Sequence, residues 1–296
     1  MNFVLKTNKL GNRNKMRISF NFYIIPAAIF VFFTGRFDLY AIAYFSAFLH
    51  EIAHILIARR FNLTVEEIKF LPIGFAAKVA GLWKLSSKRE LILLIAGPAV
   101  NLLLSVFLLF VTNLFPSTNK EIIKDTILIN IFLALFNMLP MLPLDGGRIL
   151  MVILSREVGI IKCASFCMVI SKILNIIFFI LSMVLLAFSG NFMMIIVICY
   201  TLGLIFYEDK HIIADSILYI LNKSSLIKKN QVILVKPLVV TESTCLIILL
   251  KEIDRTKMIN ALVLNDDNKI IGSVDELRII EYILESGINA SIKELL

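Results

Sequence analysis

The sequence predicts an α-helical polytopic membrane protein: six transmembrane helices with a re-entrant β-hairpin among them, followed by a small C-terminal α/β domain. Three observations predict this. Of the 296 residues, 59% are hydrophobic and only 18% charged, with a mean hydropathy of +0.88, where a soluble domain carries about a quarter charged residues. The apolar excess falls before residue 208, in runs close to the roughly 20 residues that cross a bilayer. Charge is uneven too, with a net +10 over residues 1–207 and a net −2 over residues 208–296. These breaks divide the chain into a membrane domain (1–207), a linker (208–230) and a soluble domain (231–296).

The six expected spans are Ile18–Gly35, Leu39–Ala58, Leu91–Asn119, Thr126–Gly147 continuing to about Ser155, Cys163–Phe188 and Phe192–Tyr207. The first is read as a span, since no small-residue cleavage site follows it before Arg36. Lys6, Lys9, Arg13, Lys15 and Arg17 precede the first span, and Arg59, Arg60, Lys69, Lys78, Lys84, Lys88 and Arg89 lie between the second and third. The alternate loops carry little positive charge, so both termini are expected on the cytoplasmic side. Between the second and third spans, Ile68–Val79 is too apolar for an ordinary loop and reads as a hairpin near the interface. It must pack on the bundle or line a wet cavity. Two uses stand open, an interfacial plug or an edge offered to an extended peptide.

Beyond a hinge around Asn222–Lys229, the tail reads as a strand (Val232–Val235), a helix opening at Ser243 or Thr244, and a strand (Ala261–Asn265). A further strand (Lys269–Val274) and a helix (Asp275–Glu285) complete it. So short a domain has a marginal core, and is expected to pair with a copy of itself or lean on another surface. Its acidic balance excludes nucleic acid as a partner, which needs clustered Lys and Arg. Cys163, Cys167, Cys199 and Cys245 lie in apolar stretches without CxxC spacing and read as packing residues.

The chemistry concentrates in the second and fourth spans. His50-Glu51-Ile52-Ala53-His54 takes two of the chain's three histidines. Four residues apart, their rings share one helix face and can hold a zinc ion, while Glu51 beside them can take a proton from water activated there. His50 lies about 16 Å along the helix from Leu39 at 1.5 Å per residue, deep in the hydrocarbon, where an ionisable group is functional by default. A hydrolytic zinc site takes three protein ligands, and Asp145 is the one ionisable side chain in the apolar part of the fourth span. Pro140 and Pro143 before it, and Gly146 and Gly147 after it, predict that the helix opens at this carboxylate, beside a wet internal cavity. Asn137, in the opened segment, is placed to donate to a substrate backbone or a developing oxyanion. His211, the alternative third ligand, stands among Glu208, Asp209 and Lys210 and reads as solvated. Gly97-Pro98-Ala99-Val100-Asn101 has two readings, a kink for close helix contact or a site at which Asn101 steadies the metal centre.

At these residues the chain resembles the site-2 protease family of intramembrane zinc metalloproteases. The likeness rests on HExxH at His50–His54, GPxxN at Gly97–Asn101 and the run of asparagine, prolines and LDGG over Asn137–Arg148. It implies a zinc metalloendopeptidase of a membrane-tethered substrate, with Zn2+ held by His50, His54 and Asp145, Glu51 as general base, and Asn137 and Pro143 near the substrate channel. Six spans and a soluble tail are similar to the subgroup typified by the stage IV sporulation protein FB. That subgroup implies processing of the sporulation sigma-K precursor on the mother-cell side of the membrane around the forespore, under inhibition by partner membrane proteins. The tail, about 234–296, is similar to a single CBS motif. Nucleotide-binding copies usually place a ribose-contacting Asp where Arg278 stands and Thr or Ser where Asp275 stands. This departure counts against ATP sensing and leaves homo-oligomer formation as the expectation. Alternatives from the residues alone are a site-2 protease for another membrane substrate, such as an anti-sigma factor or peptide pheromone, and a non-enzymatic metal-binding scaffold or transporter.

Overall fold

The computed structural model describes residues 2–4, 17–22, 24–33, 35, 37–71, 74–115, 120–189, 216–217, 219–221, 234–286 and 290–295. The sixth expected span, the hinge, His211 and Cys199 lie outside these residues. Two compact units divide the chain: Met1–Leu139 with Leu144–Gly146, and Pro140–Pro143 with Gly147–Leu296.

In the first unit, β1 (Asn2–Val4), β2 (Arg17–Phe20), β3 (Thr64–Leu71) and β4 (Gly74–Ala80) form one sheet in that order. The expected hairpin is β3–β4, paired antiparallel from Thr64 with Ala80 to Leu71 with Gly74. The start of the first expected span differs from its prediction. Residues 17–20 pair parallel with β3 as β2, and among the described residues the apolar run continues as the 10-residue α1 (Ile24–Phe33). At 1.5 Å per residue α1 is about 15 Å long, half a bilayer core. Side-chain contacts explain the strand. Ser19 Oγ donates to Glu67 Oε1 at 2.7 Å, and Phe20 stacks on Phe70 with ring centroids 4.5 Å apart.

Two long helices of this unit carry the centre. α2 (Phe37–Arg60) has Asp38 in its first turn and Arg59 and Arg60 in its last, complementing the helix dipole. α3 (Ser87–Leu114) continues through Pro98. α2 packs on α3, on α4 (Lys120–Asn137) and on β4. The packing inverts that of a soluble bundle. Beside Ile55, Leu93, Leu94 and Ile127, the buried positions hold small or polar groups: Asn130 Nδ2 of α4 donates to Ser46 Oγ of α2 at 2.9 Å, and Ser105 Oγ of α3 lies 3.3 Å from the Ile127 carbonyl. Leu103, Val106, Phe107 and Phe110 point outward. Hydrogen bonds between helices and an apolar exterior are what a bilayer selects. Among the described residues three helices are long and apolar enough to cross a membrane, α2, α3 and α6 (Ile160–Ser189). α4 carries Lys120, Glu121, Lys124 and Asp125 in its first six residues.

The fourth expected span does open, between Asn137 and Asp145, and α5 (Asp145–Leu154) begins at the carboxylate. Within the second unit, Ser171 Oγ of α6 accepts the Leu142 N–H at 2.7 Å and donates to the Cys167 carbonyl at 2.7 Å, satisfying an otherwise buried donor beside the prolines. Cys163 and Cys167 are buried next to Leu142, the packing role expected of them.

The same unit contains the tail: β5 (Leu234–Thr241), α7 (Leu246–Glu252), β6 (Lys257–Leu264), β7 (Ile270–Asp275) and α8 (Glu276–Ser286). β5 and β6 are parallel, β6 and β7 antiparallel. The first strand is longer than expected and runs through Pro237, which an edge strand tolerates because its N–H is not needed by a second neighbour. The helix begins at Leu246, past Ser243 and Thr244. Leu246, Leu249, Ala261, Val263, Val274 and Ile279 form the core, each large aliphatic contributing about 1.5–3 kcal/mol when buried. Asp275 caps α8, its Oδ1 accepting the Arg278 N–H at 2.8 Å. The tail leans on the start of α6. The Ile160 N–H donates to the Ile253 carbonyl at 2.8 Å, and Glu252 accepts from both Lys162 and Lys236. The lysines hold the Glu252 carboxyl below its ordinary range, Lys162 most strongly.

Candidate metal centre

A helix stacks side chains four residues apart. His50 and His54 of α2 therefore face one another with ring centroids 4.8 Å apart, both buried. α3 passes them at Gly97. A Cβ on that residue would stand 2.3 Å from His54 Nε2 and 2.5 Å from His50 Nε2, so only glycine leaves room in front of both nitrogens. Asp145 completes the cluster from the first residue of α5. Its Oδ2 lies 3.1 Å from His50 Nε2 and 3.2 Å from His54 Nε2, and the two nitrogens are 3.2 Å apart.

This near-equilateral triangle fits a metal ion. Donors about 2.0–2.1 Å from a tetrahedral zinc stand about 3.4 Å from one another, and two imidazoles with one carboxylate are a donor set zinc accepts, leaving a fourth position for a non-protein ligand. The three side chains could hold a metal ion together. The wall behind them agrees. His54 Nδ1 lies 2.8 Å from the Leu93 carbonyl, which can only accept. The Nδ1 proton is thereby fixed, and the Nε2 lone pair faces the cluster. Asn101 of α3, fully buried, places its Nδ2 3.3 Å from His50 Nδ1.

Glu51 follows His50 on α2, and its Oε1 accepts the Ala77 N–H of β4 at 2.7 Å. Phe75 packs against Tyr44 and Phe48 of α2, with centroids 4.6 and 5.1 Å apart, which holds the strand against the helix. The carboxylate is thus tied to a strand that, among the described residues, has β3 as its one strand neighbour.

The structure brings His50, His54 and Asp145 together, with Glu51 adjoining. Asn137 is elsewhere engaged: its Nδ2 donates to the Leu133 carbonyl at 3.0 Å in the last turn of α4. Pro143 is half-buried in the opened segment, two residues before Asp145. Sequence reasoning missed two backbone groups, the Leu93 carbonyl and the Ala77 N–H, because no side-chain pattern marks them. Both readings of Gly97–Asn101 have a counterpart in the structure: Asn101 stands at hydrogen-bond distance from His50, and Gly97 supplies the close helix approach.

With the geometry in place, comparison with known proteins gives the class. The model of peptidase family M50 matches residues 39–121 and 117–181. The chain belongs to this family, the site-2 proteases. It is 35% identical over 141 residues to a zinc metalloprotease of Methanocaldococcus jannaschii, covering 47% of this chain and 41% of that one. Against the stage IV sporulation protein FB of Bacillus subtilis it is 26% identical over 111 residues, covering 37% and 38%. The match to these curated relatives thus spans about two fifths of their length. The solved structure of the site-2 protease from Methanocaldococcus jannaschii superposes with a TM-score of 0.51 at 28% identity, covering 69% of this chain and 93% of that one.

Proposed function

We propose that this protein is an intramembrane zinc endopeptidase that hydrolyses a peptide bond of a membrane-tethered protein near the cytoplasmic face. The observation that carries the reading is the convergence of His50, His54 and Asp145 Oδ2 at 3.1–3.2 Å from one another, beside a glutamate. His50, His54 and Asp145 hold the metal. Zinc in such a site supplies Lewis acidity, toward a carbonyl oxygen and toward water. Glu51, anchored by Ala77, takes the proton of the attacking water and returns it to the leaving amine. Asn137 and Pro143 line the approach of the substrate, and the edge of β4 aligns it in extended form.

The test is cleavage of a membrane-tethered reporter by the full chain in liposomes, with zinc content measured alongside. Zinc-loaded wild-type protein that leaves the reporter uncleaved overturns the peptidase reading in favour of a scaffold or transporter, and zinc-loaded Glu51→Gln protein that cleaves at the wild-type rate removes Glu51 as the base.

For the substrate, we assign the sporulation sigma-K precursor, processed under inhibition by membrane partner proteins. The likeness to the stage IV sporulation protein FB supports it. Self-association through the CBS-like tail belongs to the same reading, supported by the exposed Val235 and Val239 of β5. Co-expression with the tagged precursor tests the substrate. An uncleaved precursor beside protein active on the reporter moves the assignment to another membrane substrate.

A further inference from the structure

The two histidines of the cluster differ in what stands behind them. A carbonyl faces His54 Nδ1 and admits one arrangement, in which the ring donates. An amide faces His50 Nδ1, and an amide can serve either way, with NH2 donating or oxygen accepting. As the side chains stand, Asn101 Nδ2 is at His50 Nδ1, 3.3 Å away, and Asn101 Oδ1 is buried with no hydrogen-bond partner among the described residues. A buried acceptor left without a donor keeps the cost of its lost hydration, so this oxygen points to a donor it meets in another arrangement.

The ring chemistry identifies that donor. When His50 Nε2–H is given to Asp145 Oδ2 at 3.1 Å, Nδ1 holds a lone pair and receives Asn101 Nδ2. When the Nε2 lone pair is given to a cation, the single ring proton moves to Nδ1. Nδ1–H then faces an NH2 group and has nothing to accept it. A half-turn of the amide exchanges its nitrogen for its oxygen and restores the bond.

We propose that Asn101 is a positioning residue for His50. Its side-chain oxygen accepts the Nδ1 proton of the metal-binding ring, fixes the tautomer with Nε2 free, and makes α3 the support of both histidines, through Leu93 for one and Asn101 for the other. Partners of this kind, donated to by a ligand imidazole, typically change metal affinity 10–100-fold when removed. The inference rests on the zinc peptidase reading and adds to it an outer residue that touches neither metal nor substrate.

Zinc affinity of the full chain in detergent, measured by competition with a chelator, tests it on wild type, Asn101→Leu and Asn101→Asp. Leucine keeps the volume and removes the acceptor, and aspartate keeps an acceptor and removes the donor. The expected result is about a 10–100-fold weaker affinity for Asn101→Leu and wild-type or tighter affinity for Asn101→Asp. Equal affinity in all three proteins overturns the proposal, as does an Asn101→Asp protein as weak as Asn101→Leu. Wild type that binds no zinc instead overturns the metal-centre reading itself. Should either variant fail to fold, 15N spectra of the wild type decide, since the chain has three histidines to assign. Zinc-loaded protein with the His50 proton on Nδ1 is expected, and a proton on Nε2 overturns the proposal.

Discussion

Ala77 of β4 donates its backbone N–H to Glu51 Oε1 at 2.7 Å. The carboxylate beside the histidine pair is therefore held from outside its own helix, by a backbone group that keeps its place whatever residue occupies position 77, proline excepted. A proton acceptor anchored through one oxygen has its other oxygen set in direction as well, which is what proton transfer in a fixed geometry requires.

Replacing Glu51 by Gln preserves an oxygen for Ala77 but removes the base. Turnover of a membrane-tethered reporter is expected to fall by about a hundredfold to ten-thousandfold, with zinc content unchanged. Rate and metal stoichiometry measured on the same sample check this.

Asp145→Ala should instead lower zinc affinity by at least about a hundredfold, since losing a ligand exceeds the effect of losing an outer partner. Chelator competition reads it. A mutant with wild-type affinity would remove Asp145 from the ligand set.

Gly97→Ala separates fit from stability. Alanine is the better helix former by about 1 kcal/mol, yet its methyl would meet His54 Nε2 at 2.3 Å. Zinc content should drop to background while helicity by circular dichroism stays at the wild-type level.

The contact of the tail with α6 predicts a pH dependence. Lys162 and then Lys236 hold the pKa of Glu252 below its ordinary value, so the stabilisation is present above the ordinary glutamate value of about 4.3 and is lost as pH falls through the lower folded value. Glu252→Gln should reduce protection of the Ile160 amide against hydrogen exchange at neutral pH. The difference from wild type should vanish as the solution is acidified past that range.

The centre was legible because its chemistry is local in sequence or costly in context. Two histidines at helical spacing, and a carboxylate bracketed by prolines and glycines in an apolar run, have few uses, and the chain opens at Asp145 as those residues require. Residues 18–20 were misread because an apolar run looks alike as strand or helix until a partner is present, and the partner, β3, lies some fifty residues on. Pro237 stands in a strand because β5 is an edge, a fact of sheet order that composition does not carry. Leu93 and Ala77 act through main-chain atoms and leave no trace in residue type.

The inverted packing of α2, α3 and α4 bears on how this fold responds to heat. Separating these helices within lipid, Asn130 from Ser46 and Ser105 from the Ile127 carbonyl, exposes little new hydrocarbon to water. The large heat-capacity increment that curves the stability of soluble proteins arises from such exposure. Melting of the bundle in a bilayer should accordingly show a nearly straight free-energy profile with temperature and no cold-induced loss of structure.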